Sequence, residues 1–583
     1  MRRALPILVV GLALTPDARA NLAIANRAVT GDVTIVNVPW RFPDGKIDWR
    51  FNPTSAKGPF NPEWTWQLNR MGFWGDMADA YRRTKDERYA RAFVRQLTDW
   101  LDQTGGMPPE KDYNVAGSPW RTIEEGLRLM NSWHVAWAAF ADSPSFDAAL
   151  KERFRAAAHA QAQHLMRHPS KGGNWLMMEM NGAYAFASDF PEFSDSAEIR
   201  RKSARMLSEA LNDQVLPDGL QYELSPDYHF VTLGCALQMF RRAKADGRQD
   251  ELPDDFAMLL ERMADAIVAM TTPSFVQPRF NDTFTMHGDS MVRRVVPLFP
   301  ARQDFAWLAS RRKSGLPPSG ETASRLLPWS GFAAMRSDWG PDATYLCFDF
   351  GPLGEGHWHQ DKLSFTLWKG GEELVFDDGG GQYDVSDERR YGVSGYDHNV
   401  LLVDGLAQFR RQPHRVTSPI DAEWSTTADR DRVVGVYDQG FGRDERRLAT
   451  HRREIVFEKK SDLFTVTDEL KSADGCEHDY ALLFQLDTTN TTVSADGRRL
   501  LARYGRRWDL VIDVSDGKLE TAVARRKPSL AGWFVGRNDT SVHPATTVFV
   551  RVPRGRDRTV VTRLRPVEGK ISLGRFPKTK DNK

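Results

Sequence analysis

The stretch that decides the fold runs from Gly356 to Gly381 and reads GHWHQDKLSFTLWKGGEELVFDDGGG. Its middle alternates apolar and polar residues through Leu363, Phe365 and Leu367, which is the period-2 pattern of a β-strand. It ends in two aspartates and three glycines, and glycine tolerates the unusual backbone angles of tight turns. The stretch therefore predicts strands joined by tight turns.

Two histidines open this stretch, and a third follows at the head of another strand-like run, YDHNVLLVDG. His357 and His359 are one residue apart, so their side chains share a face if the segment is extended. His359, Asp377 and His398 together form a three-ligand zinc set of two imidazoles and a carboxylate. The alternative is that they are unrelated polar residues at strand ends, and spacing alone does not decide between the two interpretations.

Outward from this stretch the chain divides into two parts. From about residue 62 to 312 the apolar spacing is helical, with helices expected around 120–141, 145–168, 174–188, 195–215, 228–246 and 253–271. From residue 331 onward, runs such as TYLCFDFG, REIVFEKK and DYALLFQL alternate and are separated by turn residues. We predict an α+β chain, with a helical (α/α) toroid over 21–325 and an antiparallel β-sandwich over 326–583.

Composition narrows the classes of function. The chain has 583 residues, and its 79 basic and 78 acidic side chains give no overall attraction to nucleic acid or to an anionic membrane. The three cysteines are far apart and predict neither a disulfide framework nor a cysteine zinc site. Most of the 18 tryptophans are expected to fill the core, although aromatic rings also stack on sugars.

The N-terminus has the layout of a secretory signal. Two arginines precede an apolar run from Ala4 to Leu14, and an Ala-x-Ala end predicts cleavage after Ala20. The alternative is a buried first helix. No later run is long and apolar enough to span a bilayer, so we expect a periplasmic or secreted protein without a membrane span. The last ten residues are expected to be a solvated tail.

Three stretches of the helical half contain residues that could do chemistry. In KGGNWLMMEMNGAYAF, Asn174 follows two glycines, where an N-cap is the ordinary use of asparagine. In DGLQYELSPDYHF, Tyr228 follows a proline at a helix start and could equally be a core tyrosine. In RFNDTFTMHGDS, Asp282 and His287 could be loop polar residues. None of the three stretches is specific alone.

Taken together with GHWHQDKLSF, these stretches resemble the heparinase II/III group of polysaccharide lyases, closest to its heparinase III branch. The similar motifs are GNWLMMEMNGAY, DGLQYELSPDYHF, SDWGPDATYLCFDFGPLGEGHWHQDKLSF, VFDDGGGQY and YDHNVLLVD, in the order of the family. The resemblance extends over about residues 40 to 515. It implies a helical toroid followed by a β-sandwich, in agreement with the periodicity.

The resemblance also implies roles for residues. It implies that Asn174 neutralises the substrate carboxylate, and that Tyr228 and His357 are catalytic. It further implies that His359, Asp377 and His398 hold a structural zinc ion, with no organic cofactor. We also expect substrate contacts from Arg121, Glu179 and Tyr396. One departure is Trp175, since family members commonly have histidine directly after the asparagine. This departure leaves the base that takes the C5 proton open.

The activity that the resemblance implies is β-elimination on a uronate-containing polysaccharide of the heparan sulfate or glycosaminoglycan type, and the implied partner is this acidic polymer. Hyaluronan, alginate or a bacterial exopolysaccharide are alternative substrates. A glycoside hydrolase remains an alternative, with Glu179, Glu223 and Asp227 as its carboxylates. A non-catalytic polysaccharide-binding or export protein and a metal hydrolase are further alternatives. The sequence leaves the oligomeric state open.

Overall fold

The computed structural model describes residues 18–56, 58–409, 416–536 and 542–569. Residues 1–17 of the predicted signal segment and the predicted C-terminal tail lie outside these described residues. Within the four ranges, every helix is either too short or too polar to cross a bilayer.

Helices occupy most of the chain up to residue 309, and each helix predicted between residues 120 and 271 is present. A π-helical turn, Arg128–Ser132, separates two of them. The helices are α1 (Ala18–Val29), α2 (Glu63–Leu68), α3 (Gly72–Thr84), α4 (Glu87–Thr104), α5 (Thr122–Leu127), α6 (Trp133–Phe140), α7 (Ala148–Arg167), α8 (Gly173–Asp189), α9 (Ser196–Gln214), α10 (Pro226–Ala245), α11 (Phe256–Met270), α12 (Gly288–Val295), α13 (Gln303–Ala309) and α14 (Asp387–Gly392).

Apart from a short hairpin near the N-terminus, the strands begin at residue 325. They are β1 (Asp32–Ile35), β2 (Val38–Arg41), β3 (Arg325–Leu327), β4 (Phe332–Arg336), β5 (Thr344–Asp349), β6 (Phe365–Lys369), β7 (Glu372–Val375), β8 (Leu401–Val403), β9 (Trp424–Thr426), β10 (Arg430–Tyr437), β11 (Ala449–Glu458), β12 (Leu463–Ser472), β13 (His478–Leu486), β14 (Asn490–Val493), β15 (Arg499–Arg503), β16 (Trp508–Val514), β17 (Lys518–Val523), β18 (Trp533–Phe534), β19 (His543–Pro544), β20 (Thr546–Gly555) and β21 (Arg558–Glu568).

These strands form antiparallel sheets that share a core. A five-stranded sheet has the order β3-β4-β5-β6-β7, a four-stranded sheet β17-β20-β13-β8, and an eight-stranded sheet β14-β15-β16-β21-β12-β11-β10-β9. Phe348, Ile455 and Leu482, one from each sheet, belong to a single buried apolar cluster. The alternation read from the sequence arises because one side chain of each pair enters this core. The predicted class, helices followed by antiparallel sheets, is confirmed.

By packing, the chain forms two compact units. The first contains the described residues up to Gln214, together with Val231–Leu260 and Gln382–Ser386. The second contains Val215–Phe230, Glu261–Gly381 and the described residues from Asp387 onward. The second unit therefore includes the sheets built from strands β3 to β21 and also the helical segments between residues 261 and 309.

Each unit has a core of its own. In the first unit, Trp49, Trp64, Trp74, Trp100 and Trp133 are buried in one aromatic-rich cluster, so these rings fill the core as expected. In the second unit, a separate cluster joins the segment before α10 to strands β4 and β5. The members of that cluster include Leu216, Leu220, Leu224, Phe332 and Tyr345.

Candidate active site

The segment before α10 is tied to the five-stranded sheet on both sides. One carboxylate oxygen of Asp218 accepts hydrogen bonds from the backbone N–H groups of Trp329 and Ser330, each at 2.8 Å. The N–H of Glu355 donates to the carbonyl oxygen of Tyr222 at 3.1 Å. Because Tyr222 and Glu355 lie a few residues before Tyr228 and His357, this hydrogen bond brings two predicted catalytic segments together.

Gly354 makes that approach feasible. It has a φ of +83°, and a Cβ at this position would lie 2.8 Å from the carbonyl oxygen of Glu223. Real Cβ atoms do not come so close to an oxygen, and a positive φ favours glycine. A larger residue here would push the loop that carries His357 away from Glu223.

The rings of Tyr228 and His357 are stacked. Their centroids lie 3.5 Å apart and their planes differ by 12°. His357 has a φ of +58°, a left-handed conformation that is uncommon for residues other than glycine, and its carbonyl oxygen accepts a hydrogen bond from the N–H of Asp282 at 3.1 Å. The structure therefore unites two of the three residues predicted to be catalytic.

Strand geometry is not what brings the histidines together. The sequence allowed His357 and His359 to share a face of an extended segment, but β6 begins only at Phe365, and the residues before it form a loop. The left-handed backbone at His357 excludes an extended segment there. Both histidines nevertheless reach one carboxylate, because the loop folds around it.

That carboxylate belongs to Asp282, which is 2% exposed. It lies 3.1 Å from Nδ1 of His357 and 3.1 Å from Nε2 of His359. It also accepts hydrogen bonds from the guanidinium of Arg389, at 2.5 Å and 3.2 Å. The sequence had placed Asp282 in a stretch that could do chemistry, with a polar loop residue as the equal alternative, and Arg389 stood in none of the selected motifs.

A second carboxylate lies on the other side of the His357 ring. An Oε atom of the buried Glu223 is 3.5 Å from Nε2 of His357. The imidazole therefore has a carboxylate near each of its ring nitrogens, while a quarter of its side chain remains exposed. A partly exposed imidazole between two carboxylates and against a phenol is suited to moving protons.

The third residue predicted to be catalytic, Asn174, belongs to the first unit. It is buried near the start of α8, after Gly173, whose φ is +70°. The loop before it is anchored by Glu179, whose carboxylate accepts hydrogen bonds from the N–H and the hydroxyl of Ser170 at 2.8 and 2.7 Å. Glu179 is fully buried, so the structure gives it an anchoring contact, and its expected contact with substrate stays a prediction.

The position of α8 is fixed by a close crossing with α5. A Cβ at Gly182 would lie 2.4 Å from the carbonyl oxygen of Gly126, and a Cβ at Gly126 would lie 2.7 Å from Glu179 Cα. Only glycines allow two helices to approach this closely. The crossing holds the start of α8, and with it Asn174, at a defined place in the first unit.

Arg121 is enclosed by two tryptophans. Its guanidinium carbon lies 3.4 Å from the ring centroid of Trp66 and 5.0 Å from that of Trp175. Its Nε and Nη2 donate to the fully buried carboxylate of Glu124, at 2.6 and 2.8 Å. Trp175, the departure from the family pattern, therefore packs against a cation that already has a carboxylate partner.

Tyr396, the remaining predicted substrate contact, is in the second unit. Its hydroxyl donates to the carbonyl oxygen of Gly405 at 2.7 Å, and its ring packs beside a small apolar cluster that includes Leu402. Burial raises the pKa of its hydroxyl. The contact of Tyr396 with substrate stays a prediction.

The three residues predicted to bind zinc are neighbours. The ring centroids of His359 and His398 are 5.2 Å apart, and Nδ1 of His398 lies 3.0 Å from the Asp377 carboxylate. All three side chains are fully buried. Within the described ranges, no three His, Cys, Asp or Glu side chains are grouped closely enough to hold a metal ion as they stand.

Two atoms of this cluster nevertheless suit a metal. Nδ1 of His359 and Nε2 of His398 are buried and have no hydrogen-bond partner among the described residues. Burial lowers the pKa of His359 to about 4, which keeps its imidazole neutral, as a metal ligand must be. The donor types therefore fit zinc, and the metal stays a prediction.

Comparison with known proteins shows which family the chain belongs to. Residues 16–307 match the family described as Heparinase II/III N-terminus, and residues 319–572 match Heparinase II/III-like, C-terminal. The chain belongs to the heparinase II/III family. The resemblance read from the sequence motifs is therefore confirmed.

Relatives within the heparinase II/III family include two heparin-sulfate lyases. The one from Pedobacter heparinus is 30% identical over 337 residues, which are 57% of this chain and 49% of the relative. The one from Bacteroides stercoris is 29% identical over 378 residues, which are 61% of this chain and 56% of the relative. The chain thus spans about half the length of these curated relatives.

Solved structures show the same fold. A crystal structure of heparinase III superposes with a TM-score of 0.81 at 18% identity, covering 97% of this chain and 87% of the other. A heparan sulfate lyase from Pedobacter heparinus superposes with a TM-score of 0.67 at 23% identity, covering 96% and 84%. The heparinase III fold therefore extends over nearly the whole of this chain.

Proposed function

We propose that the chain is a polysaccharide lyase that cleaves a uronate-containing polysaccharide by β-elimination and leaves a 4,5-unsaturated uronate at the new end. The observation that carries the proposal is the stack of Tyr228 on His357, with the carboxylates of Asp282 and Glu223 at the two ring nitrogens of His357. Membership of the heparinase II/III family supports it independently.

The chemistry needs a proton acceptor at C5 of the uronic acid and a proton donor at the C4 oxygen. A phenol and an imidazole in contact can supply both. In a syn elimination Tyr228 reacts as the phenolate: its oxygen takes the C5 proton, and the phenol so formed gives that proton to the leaving C4 oxygen. In an anti elimination, on the opposite epimer, His357 takes the C5 proton and Tyr228 donates to the leaving oxygen.

The substrate carboxylate must also be stabilised, because negative charge spreads onto it as the C5 proton leaves. For Asn174 we keep the role implied by the family, a neutral amide that donates a hydrogen bond to this carboxylate. Its burial at the start of α8 gives the side chain a fixed position within the first unit. This role is tested on its own in the Discussion.

We further propose a heparan-type glycosaminoglycan as the substrate, because the curated relatives are heparin-sulfate lyases. We propose export through the N-terminal signal segment. We also propose a structural zinc ion at His359, Asp377 and His398. Bound there, zinc would link three chain segments, and its contribution would be to hold the loop that carries His357.

A panel of uronate polymers, assayed for ultraviolet-absorbing unsaturated ends and followed by mass analysis, tests the proposal. We expect unsaturated oligosaccharides from a heparan-type polymer. Unsaturated products from alginate or an exopolysaccharide alone would support the lyase reaction but contradict the proposed heparan-type substrate. Products carrying an added water molecule would establish a glycoside hydrolase, and binding without depolymerisation would establish a non-catalytic protein.

A further inference from the structure

The Asp282 carboxylate is the meeting point of three cationic or imidazole groups from distant segments. His357 and His359 come from the loop before β6, and Arg389 comes from α14. One Asp282 oxygen faces Nε2 of His359 and Nη1 of Arg389, and the other faces Nδ1 of His357 and Nη2 of Arg389. The buried carboxylate of Asp282 is therefore the common hydrogen-bond acceptor of three side chains.

The packing around this cluster leaves little freedom for movement. Nη1 of Arg389 also donates to the carbonyl oxygen of Gly380 at 2.6 Å. A Cβ at Gly380 would lie 2.5 Å from Cε1 of His359 and 2.8 Å from Nη1 of Arg389. The His359 ring and the Arg389 guanidinium therefore both lie directly against the backbone of Gly380, where any side chain would displace them.

A carboxylate accepts hydrogen bonds and has no proton to donate, so each ring nitrogen that faces Asp282 must be an N–H. His357 then has a proton on Nδ1. Its Nε2 lies 3.5 Å from the Glu223 carboxylate, which is longer than an ordinary hydrogen bond, so Glu223 does not by itself require a proton on Nε2. His359 has its proton on Nε2 and keeps Nδ1 bare, the atom without a hydrogen-bond partner in the described part of the chain. One acceptor thus fixes which nitrogen of each histidine carries the proton.

We propose that Asp282 is a positioning residue that fixes the tautomer and ring orientation of His357 and His359 together. It touches neither substrate nor metal in this role, and it acts through the two imidazoles. The inference rests on the proposed function, in which His357 handles a proton. It extends that function by joining the catalytic imidazole and the candidate zinc ligand through one acceptor.

The first test is the Asp282→Asn variant, which keeps the size of the side chain but replaces one acceptor oxygen by an N–H donor. We expect kcat on the polymer substrate to fall about 10- to 100-fold, the usual effect of removing an orienting partner of an active histidine or metal ligand. KM should change little, because the group contacts no substrate. A kcat within about twofold of the original would overturn the inference.

Asp289→Asn is the matched control. Asp289 is also buried and ion-paired, with Nη2 of Arg293 at 2.9 Å and Nε of Arg311 at 2.9 Å, but it contacts neither histidine. We expect this variant to lose thermal stability and to keep its kcat. An equal loss of kcat in both variants would mean that Asp282 acts only by supporting the fold.

A double-mutant cycle separates positioning from general support. If Asp282 acts through His357, Asp282→Asn should have little further effect on kcat in a His357→Ala background. The same fold-loss in both backgrounds would contradict the inference.

NMR of protein labelled with ¹⁵N only at histidine measures the tautomer of each imidazole and does not require turnover. His357→Gln identifies the His357 resonances, and we expect the Nδ1–H tautomer in the original chain and its loss in Asp282→Asn. An original chain that yields no unsaturated product from any polymer would refute the proposed function. In that case the tautomer measurement still decides the role of Asp282, and an Nε2–H tautomer of His357 in the original chain would refute it.

Discussion

The phenol of Tyr228 lies face to face with the imidazole of His357, with 3.5 Å between the ring centroids. Such a short separation leaves no room for another group between the rings, so in the proposed reaction both side chains would contact the same sugar residue.

Tyr228→Phe removes the hydroxyl and keeps the ring that stacks on His357. We expect this variant to fold normally and to form no ultraviolet-absorbing unsaturated product, because the proton for the leaving oxygen is gone. Tyr345→Phe is the control. It removes a buried hydroxyl that donates to Met270 at 2.6 Å, so it should cost about 1 kcal/mol of stability and leave turnover intact. Turnover retained by Tyr228→Phe would rule out this tyrosine as the proton carrier.

Asn174→Ala removes the amide expected to hydrogen-bond the substrate carboxylate. We expect kcat/KM to fall by about 100- to 1,000-fold, the effect of losing a donor placed where negative charge develops. The control is Asn212→Ala in α9, which should keep full activity. Its amide donates to the Ser208 carbonyl oxygen at 3.2 Å. A fall of less than about tenfold for Asn174→Ala would remove it from the catalytic group.

Zinc content tests the metal prediction directly. We expect about one zinc ion per chain in protein purified without chelator. His359→Ala should lose the metal and melt at a lower temperature, since metal binding contributes to the stability of the fold. His451→Ala removes another buried histidine, 2.6 Å from Asp468, and should lower the melting temperature while keeping the metal. Metal-free protein whose stability is unchanged by chelator would refute the site.

Acid should destabilise the fold through His229. The backbone N–H of Gln221 donates to Nδ1 of His229 at 3.2 Å, so that nitrogen is unprotonated, and Nε2 lies 3.0 Å from the carbonyl oxygen of Met263. Burial lowers the pKa of His229 from 6.5 to about 4. In the unfolded chain His229 binds a proton below pH 6.5, whereas in the folded chain it does so only below about pH 4. The free energy of unfolding therefore decreases as the pH falls from 6.5 to 4.

Chemical denaturation between pH 4 and 6.5 measures the effect, which is at most about 1.4 kcal/mol per pH unit for one group. His229→Gln should flatten the pH dependence of the unfolding free energy. For His478 we expect the opposite dependence, in which its contribution to the free energy of unfolding increases as the pH falls. Burial alone would lower its pKa, but Asp404 and Asp474 raise it, so His478→Gln should remove stability that is present at low pH. An unchanged slope in His229→Gln would contradict the prediction.

Local pattern was enough for much of this fold. The helix predicted over 195–215 is α9, Ser196–Gln214, because its apolar residues recur at the helical spacing that buries one face. The first six residues of the run REIVFEKK, 453–458, lie in β11, because alternate residues such as Ile455 enter the core. Asn174, Tyr228 and His357 were predicted to be catalytic because each stands in a motif that resembles the heparinase II/III family.

The role of Asp282 had no such local pattern. Its partners His357 and Arg389 are 75 and 107 residues away along the chain. The left-handed backbone of His357 was equally hidden, because nothing adjacent in sequence requires it, and the sequence suggested an extended segment instead. Both features come from hydrogen bonds between segments that meet only after folding.

The sequence by itself therefore determined the order of helices and strands, the family, and the types of side chain available for proton transfer. Only the tertiary structure decided which of those side chains share a carboxylate and which tautomers that carboxylate imposes. The physical reason is the separation along the chain of the residues that interact. Helical and strand periodicity is fixed by neighbours a few residues apart, whereas the geometry of a buried ionic cluster depends on where loops distant in sequence are held by the packed core.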